Sequence, residues 1–356
     1  MKVCLSLRDQ DFHSTKSIGI YNVSIGLAYA LADNPNVKTL ILLANVSLEG
    51  VLRELSSSPK VEIIGGSDPV PKGIKRLLWD QWGIAEVVNS LDVDWLILPK
   101  GFPPVVRWFK AKVCCYIHDN IFQFYADKGW AGIPVFEKYY FPWCYKRAVR
   151  KADLIITNSQ FTCDEVIASG RKMAAQKVGI GFDCAADVLP KSDKKGILIF
   201  TSPQPHKLTG QSIQWLERWK LESGNQVMIY GVGGMAPDLA WPTGEDWVKM
   251  PRISDQELED LRRKAEVLVY FSAYEGFGMP PCEAVQSGVI PLASDIPPHR
   301  ETLPMKCLFP NDDYQVFKSR LNHLLEEKPA ISTQIDSWED VAERVLKAMH
   351  LESHTK

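Results

Sequence analysis

Short, almost continuously apolar runs alternate with longer segments of helical period along most of the chain. Val3–Leu7, Thr39–Leu43, Val61–Ile64, Trp95–Leu98, Val113–Ile117 and Leu154–Thr157 read as strands. Strands apolar on both faces are buried on both, so these runs predict a parallel sheet with helices on either side. Between them Ile20, Val23, Leu27 and Leu31 recur at helical spacing and predict a helix over Ile20–Ala32. Leu77, Leu78, Ile84, Val88 and Leu91 do the same over Gly73–Leu91.

The alternation stops at the polar segment Asp183–Lys195 and then starts again. New strands are expected at Ile197–Phe200, Val227–Tyr230, Val267–Phe271 and Val289–Ala293. Ser254 and Glu257 have capping-box spacing, which predicts a helix from there to about Ala265. The pattern is that of two doubly wound α/β domains with a cleft between them. Open parallel sheets bind ligands beyond the carboxyl ends of their strands, so the chemistry is expected there.

Composition narrows the class of protein. A length of 356 residues suits two domains, and 46% apolar with 24% charged residues is ordinary for a folded chain. A net charge of −2 gives no global reason to expect nucleic acid as a partner. The start of the chain has no signal-peptide core, and no run approaches the ~20 apolar residues of a membrane span. The eight cysteines are scattered without a C-x-x-C pair, which suits reduced, buried thiols. The expectation is a cytoplasmic protein.

The most informative stretch is Val267–Ala284. A buried strand ends near Phe271, a glycine loop follows, and Pro280 and Pro281 suit the first turn of a helix. Gly276 and Gly278 let the backbone approach a ligand and turn N–H groups toward it. Glu283, just inside the helix, can accept hydrogen bonds from sugar hydroxyls. Phosphate plus polyol is the ligand chemistry this suggests. A solvated loop glutamate beside an ordinary helix start is the plainer alternative.

Glu275 and Glu283, framing Gly276-Phe277-Gly278-Met279 and followed by Ser287-Gly288 and Ala293-Ser294-Asp295, resemble the retaining glycosyltransferases of family 4 (glycosyltransferase group 1). That resemblance implies the GT-B fold, two Rossmann-like domains facing across an interdomain cleft. It implies an N-terminal acceptor-side domain over 1–184, a linker over 185–195 and a nucleotide-sugar domain over 196–335. Ser337-Trp338-Glu339 matches the start of the family's last helix, so 336–356 is expected to return to the N-terminal domain. Tyr116-Ile-His118-Asp119 resembles the family's His-Asp element, and Arg150–Ser159 its segment before the linker.

The implied roles are specific. Glu275 would contact the donor sugar, Glu283 the ribose hydroxyls, and His118 would lie near the donor sugar. Lys207 would grip the diphosphate, with Gly19, His206, Gly276, Phe277, Gly278 and Met279 completing the donor site. The partners implied are a UDP-, GDP- or ADP-linked sugar and a carbohydrate or lipid-linked acceptor. No cofactor and no metal are expected, since the nucleotide-sugar is a substrate and no aspartate-rich metal element stands out. Transfer would proceed by front-face attack, with a donor phosphate oxygen taking the acceptor proton.

Two positions depart from the family pattern. Lys16-Ser17-Ile18-Gly19 keeps one glycine of a loop that usually has several, and His206 precedes Lys207 where many relatives carry arginine. Both would also suit a non-catalytic partner subunit that retains the fold. An epimerase, a sugar phosphorylase or a nicotinamide dehydrogenase fits less well, the last for want of Gly-x-Gly-x-x-Gly after a first strand. Finally, Lys72, Lys75, Arg76, Arg107, Lys110, Lys112, Lys146, Arg147, Arg150 and Lys151 accompany Tyr139–Trp143. This mixture suits peripheral contact with the inner face of an anionic membrane, although a solvated helix face over core aromatics is the plainer reading.

Overall fold

The computed structural model describes residues 1–11, 18–106, 108–129, 134–171, 175–183, 195–333 and 335–353. Lys16, Ser17, Arg107 and all of the expected linker except Lys195 lie outside them. The chain divides into an N-terminal unit of Met1–Asp127, Ile133–Asp183 and Asp336–Lys356, and a C-terminal unit built on Cys184–Ile335.

The N-terminal unit holds β1 (Lys2–Ser6), β2 (Thr39–Leu43), β3 (Val61–Ile64), β4 (Trp95–Leu98), β5 (Lys112–Ile117), β6 (Leu154–Thr157) and β7 (Ala175–Lys177). They form one sheet in the order β3-β2-β1-β4-β5-β6-β7, with every described pairing parallel. Its four central strands are buried on both faces almost throughout, as their continuous apolar runs require. The helix Trp338–Ser353 belongs to this unit and packs on the helix Ile18–Asp33. The Trp338 indole lies directly over Gly26, where any side chain would collide with the ring.

The C-terminal unit holds β8 (Ile197–Thr201), β9 (Ile229–Gly233), β10 (Trp247–Met250), β11 (Val267–Tyr270), β12 (Ile290–Ser294) and β13 (Leu308–Phe309). Their order is β10-β9-β8-β11-β12-β13, again with parallel pairings. One side of the sheet is filled by Trp219, Phe271, Phe309, Phe317 and their neighbours, the other by a smaller aliphatic cluster around Leu268 and Leu308. The capping box forms: Ser254 caps the helix Asp255–Lys264, and Glu257 accepts from the Ser254 N–H at 2.7 Å.

Each described cysteine is buried. Among the described residues no helix is long and apolar enough to cross a membrane.

Candidate active site

A doubly wound sheet opens a crevice where successive strands leave in opposite directions. In the C-terminal unit that point lies between β8 and β11, because the chain fills β9 and β10 on one side and β12 and β13 on the other. The short turn Pro205–Lys207 follows β8, and Glu275 lies in the loop that follows β11. Their side chains meet: Lys207 Nζ is 2.7 Å from Glu275 Oε1. Lys207 also donates to the Tyr270 hydroxyl at 3.0 Å, which donates in turn to the same Oε1 at 2.8 Å. An ammonium has three N–H donors, so one remains after these two bonds.

The electrostatics follow from burial and pairing. Burial would raise the Glu275 pKa, but the Lys207 charge and hydrogen bond outweigh it and hold the carboxyl at about 2. Burial likewise opposes the Lys207 ammonium, and the Glu275 carboxylate with the Tyr270 hydroxyl reverses that and raises its pKa. His206, also buried, is pushed down to about 4 by burial and then by the Lys207 charge. A neutral His206 is no second cation for a phosphate. Its carbonyl instead accepts from the Ala273 N–H at 2.7 Å, fastening the turn after β8 to the loop after β11.

That loop is rigidly held. The Ser272 N–H donates to Ser294 Oγ at 2.8 Å, Ser294 Oγ donates to Asn311 Oδ1 at 2.6 Å, and Asn311 Nδ2 donates to the Ser272 carbonyl at 2.9 Å. Gly278 caps the helix Met279–Gln286 with φ of +86°, a conformation that costs other residues strain. It also sits against His299 Nε2, where a Cβ would overlap the ring. The Ser294 carbonyl can only accept, so His299 Nδ1, 2.7 Å away, carries the proton. His299 Nε2 is then a bare acceptor, buried without a partner.

The sequence pattern suggests that the helix start itself would bind phosphate. Pro280 and Pro281 remove two N–H groups from that first turn. The helix start therefore offers an anion fewer donors than the sequence pattern suggests. Glu283, one turn into the helix, is paired with Arg262 of the helix Asp255–Lys264.

The remaining expected residues lie in the N-terminal unit. Gly19 is in the first turn of the helix Ile18–Asp33. His118 follows β5, stacks on Tyr116 with centroids 4.4 Å apart, and donates from Nε2 to the Pro99 carbonyl at 2.6 Å. Burial pushes its pKa down to about 4, against that hydrogen bond, so the ring is neutral near pH 7 and Nδ1 is an acceptor.

This unit has its own switch point between β1 and β4, and the residues there carry no family motif. Asp9, after β1, is 2.6 Å from Lys100 Nζ, after β4, and is also paired with Arg76. Burial lifts the neighbouring Asp80 to about 6, although Arg76 opposes the shift. Gln10 beside them is fully buried with neither side-chain polar atom bonded. The only sequence signal was a run of charge directly after a strand. Tyr270, His299 and Arg262 were equally silent, because each reads as an ordinary strand, loop or helix residue.

Two Rossmann-like units of parallel sheet give the chain the α/β GT-B fold. Sucrose-phosphate synthase from Thermosynechococcus elongatus has a similar structure, with a TM-score of 0.62 over 99% of this chain and 97% of that one at 14% identity. Residues 245–336, which include the glycine loop and both glutamates, match the model of the family described as Glycosyl transferases group 1. The chain is 28% identical over 225 residues to the O-antigen chain mannosyltransferase RfbU of Salmonella typhimurium, covering 61% of this chain and 62% of that protein. It is 26% identical over 215 residues to O-antigen chain mannosyltransferase B of Escherichia coli, covering 54% of each. The C-terminal unit is thus similar to the group 1 glycosyltransferases, and the chain spans 62% and 54% of the lengths of the two relatives it matches.

Proposed function

We propose that the chain is a retaining glycosyltransferase that moves a hexosyl group from a UDP-, GDP- or ADP-linked donor to an acceptor hydroxyl. The names of the two relatives, both O-antigen chain mannosyltransferases, favour a mannosyl group and an O-antigen-like polysaccharide. The observation that carries the reading is the Lys207–Glu275 pair at the switch point of the C-terminal sheet.

In this reading the diphosphate lies along the glycine loop, whose N–H groups and the third Lys207 donor meet its charge as the sugar leaves. Lys207 supplies the positive countercharge in place of a metal. Glu275, kept ionised by Lys207, accepts hydrogen bonds from the sugar hydroxyls and fixes the ring. Glu283 takes the ribose hydroxyls while Arg262 steadies it. A donor phosphate oxygen takes the acceptor proton on the face where the leaving group departs. Asp9 and Lys100 receive the acceptor.

The test is transfer from radiolabelled donor sugars to a lipid-linked oligosaccharide extract, with the anomeric configuration of the product read by glycosidase digestion. Transfer by the wild type, lowered by about a hundredfold or more in Glu275→Ala with nucleotide affinity retained, supports the reading. An unchanged rate in Glu275→Ala contradicts it. Absence of both transfer and nucleotide binding favours the partner-subunit alternative, to which the neutral His206 lends some weight.

A further inference from the structure

Phe136, Tyr139, Trp143, Lys146 and Arg150 form one stripe along the helix Val135–Lys151. At 3.6 residues per turn they fall within an arc of about 80° and extend over about 21 Å. The three aromatics are 58%, 67% and 57% exposed, and the two cations are exposed as well. Cys144, Tyr145, Ala148 and Val149 fill the buried face of the same helix. Of the segment Tyr139–Trp143, Tyr139 and Trp143 are thus on the surface, while Tyr140 and Phe141 are half-buried and packed on neighbouring rings.

The stripe does not stand alone. Gln81 donates from Nε2 to the Tyr140 hydroxyl at 2.9 Å and accepts the Val105 N–H on Oε1 at 2.8 Å. Three segments are thereby fixed side by side, and each turns large apolar side chains outward near the node. Leu78 and Trp82 are 50% and 43% exposed, Val106 is 54% exposed, and Phe136 stacks on Tyr140 at 4.9 Å. The charge on the helix itself is mostly positive. The helix carries Lys138, Lys146, Arg147, Arg150 and Lys151 against Glu137, and Lys72 and Lys75 are exposed beside Leu78.

We propose that this face docks on an anionic phospholipid bilayer. Aromatic side chains favour the headgroup level, where Trp and Tyr keep a polar end wet, and Lys or Arg nearby gains from lipid phosphates. Two copies joined through the stripe would set like charges against each other, which disfavours self-association as its use. The placement suits the substrate proposed above. Lys151 leads into the amino end of β6, so the aromatic half of the helix lies toward the carboxyl edge of the sheet. Asp9 and Lys100 lie at that edge, and Arg76 reaches Asp9 from the segment that exposes Leu78. Docking is independent of the sugar chemistry and would bring a lipid-linked acceptor to that edge.

Flotation of the full chain with vesicles of phosphatidylcholine alone, or with a third of it replaced by phosphatidylglycerol, tests the assignment. The wild type should float with the anionic vesicles, stay down with the neutral ones, and release as salt is raised. Tyr139→Ser with Trp143→Ser, and separately Lys146→Glu with Arg150→Glu, should each lower the bound fraction by about tenfold or more. Thermal melting of both variants should match the wild type, since these side chains are exposed. No preference for anionic vesicles, or variants that float like the wild type, overturns the proposal. So does light scattering that shows a dimer dissociated by the aromatic substitutions while no vesicle is bound.

Discussion

Lys207 and Glu275, 68 positions apart in the chain, meet at 2.7 Å beyond the carboxyl ends of adjacent strands. Each makes the other tolerable: the carboxylate keeps a largely buried ammonium charged, and the ammonium keeps a largely buried carboxyl ionised. Removing one partner leaves an uncompensated charge, whereas removing both leaves none. Lys207→Ala and Glu275→Ala should therefore each destabilise the fold by roughly 2 kcal/mol, and the double variant by much less than their sum. Urea denaturation of the four proteins measures this, and simple additivity would mean that the pair is not coupled.

Acid should weaken the fold before it protonates Glu275. His118 and His206 have folded-state pKa values near 4, and burial lowers that of His299 as well. Unfolded histidines bind protons from about pH 6.5 downward, so the unfolded state takes up more protons than the native state below that pH. Stability is complete above about pH 6.5 and should fall between there and pH 4, by roughly 3 kcal/mol for His206 if taken alone. Melting temperatures from pH 7.5 to 4 should show the decline, and His206→Asn should flatten it. An unchanged slope in that variant would show His206 to be open to protonation in the native state.

Gly278 meets two separate demands, a left-handed backbone and space for the His299 ring. Gly278→Ala should cost about 1–3 kcal/mol and disturb nucleotide binding. Adding His299→Ala should restore the space but not the backbone, so only part of the loss returns. Full recovery in the double variant would mean that the ring contact was the whole effect.

If Asp9 and Lys100 receive the acceptor, Lys100→Ala should raise the acceptor KM by about tenfold while nucleotide affinity stays within twofold of wild type. An equal change in both constants would point to a general loss of structure.

How much of this was readable depended on how local each signal is. β2, β3, β4 and β6 coincide with the expected runs residue for residue; β2, β4 and β6 do so because interior parallel strands are written as nearly continuous hydrophobic segments, whereas β3 is an edge strand carrying Glu62. β7, β10 and β13 were not read: Ala175-Gln-Lys177 has one apolar residue, Trp247–Met250 is half-exposed, and Leu308–Phe309 is only two residues long. The helix expected over Gly73–Leu91 is interrupted by a wider π-turn at Trp79–Gly83, which a period of 3.6 does not register. The glycine loop and its glutamates were legible as a motif. The partners that set their chemistry were not, since Tyr270, His299 and Arg262 become relevant only when the sheet brings distant segments together. The surface aromatics of Val135–Lys151 read as core for the same reason, because a 3.6-residue period gives a stripe without saying which side faces out.

The central claim is a nucleotide site centred on Lys207, and thermal shift with UDP, GDP and ADP on wild type and Lys207→Ala tests it most directly. A ligand at a hundred times its dissociation constant adds about 2.7 kcal/mol to folded-state stability, a shift of several degrees for a domain of this size. The account predicts that one of the three nucleotides raises the wild-type melting temperature by that amount and loses most of its effect on Lys207→Ala. No shift with any of them, or the same shift in both proteins, would contradict it.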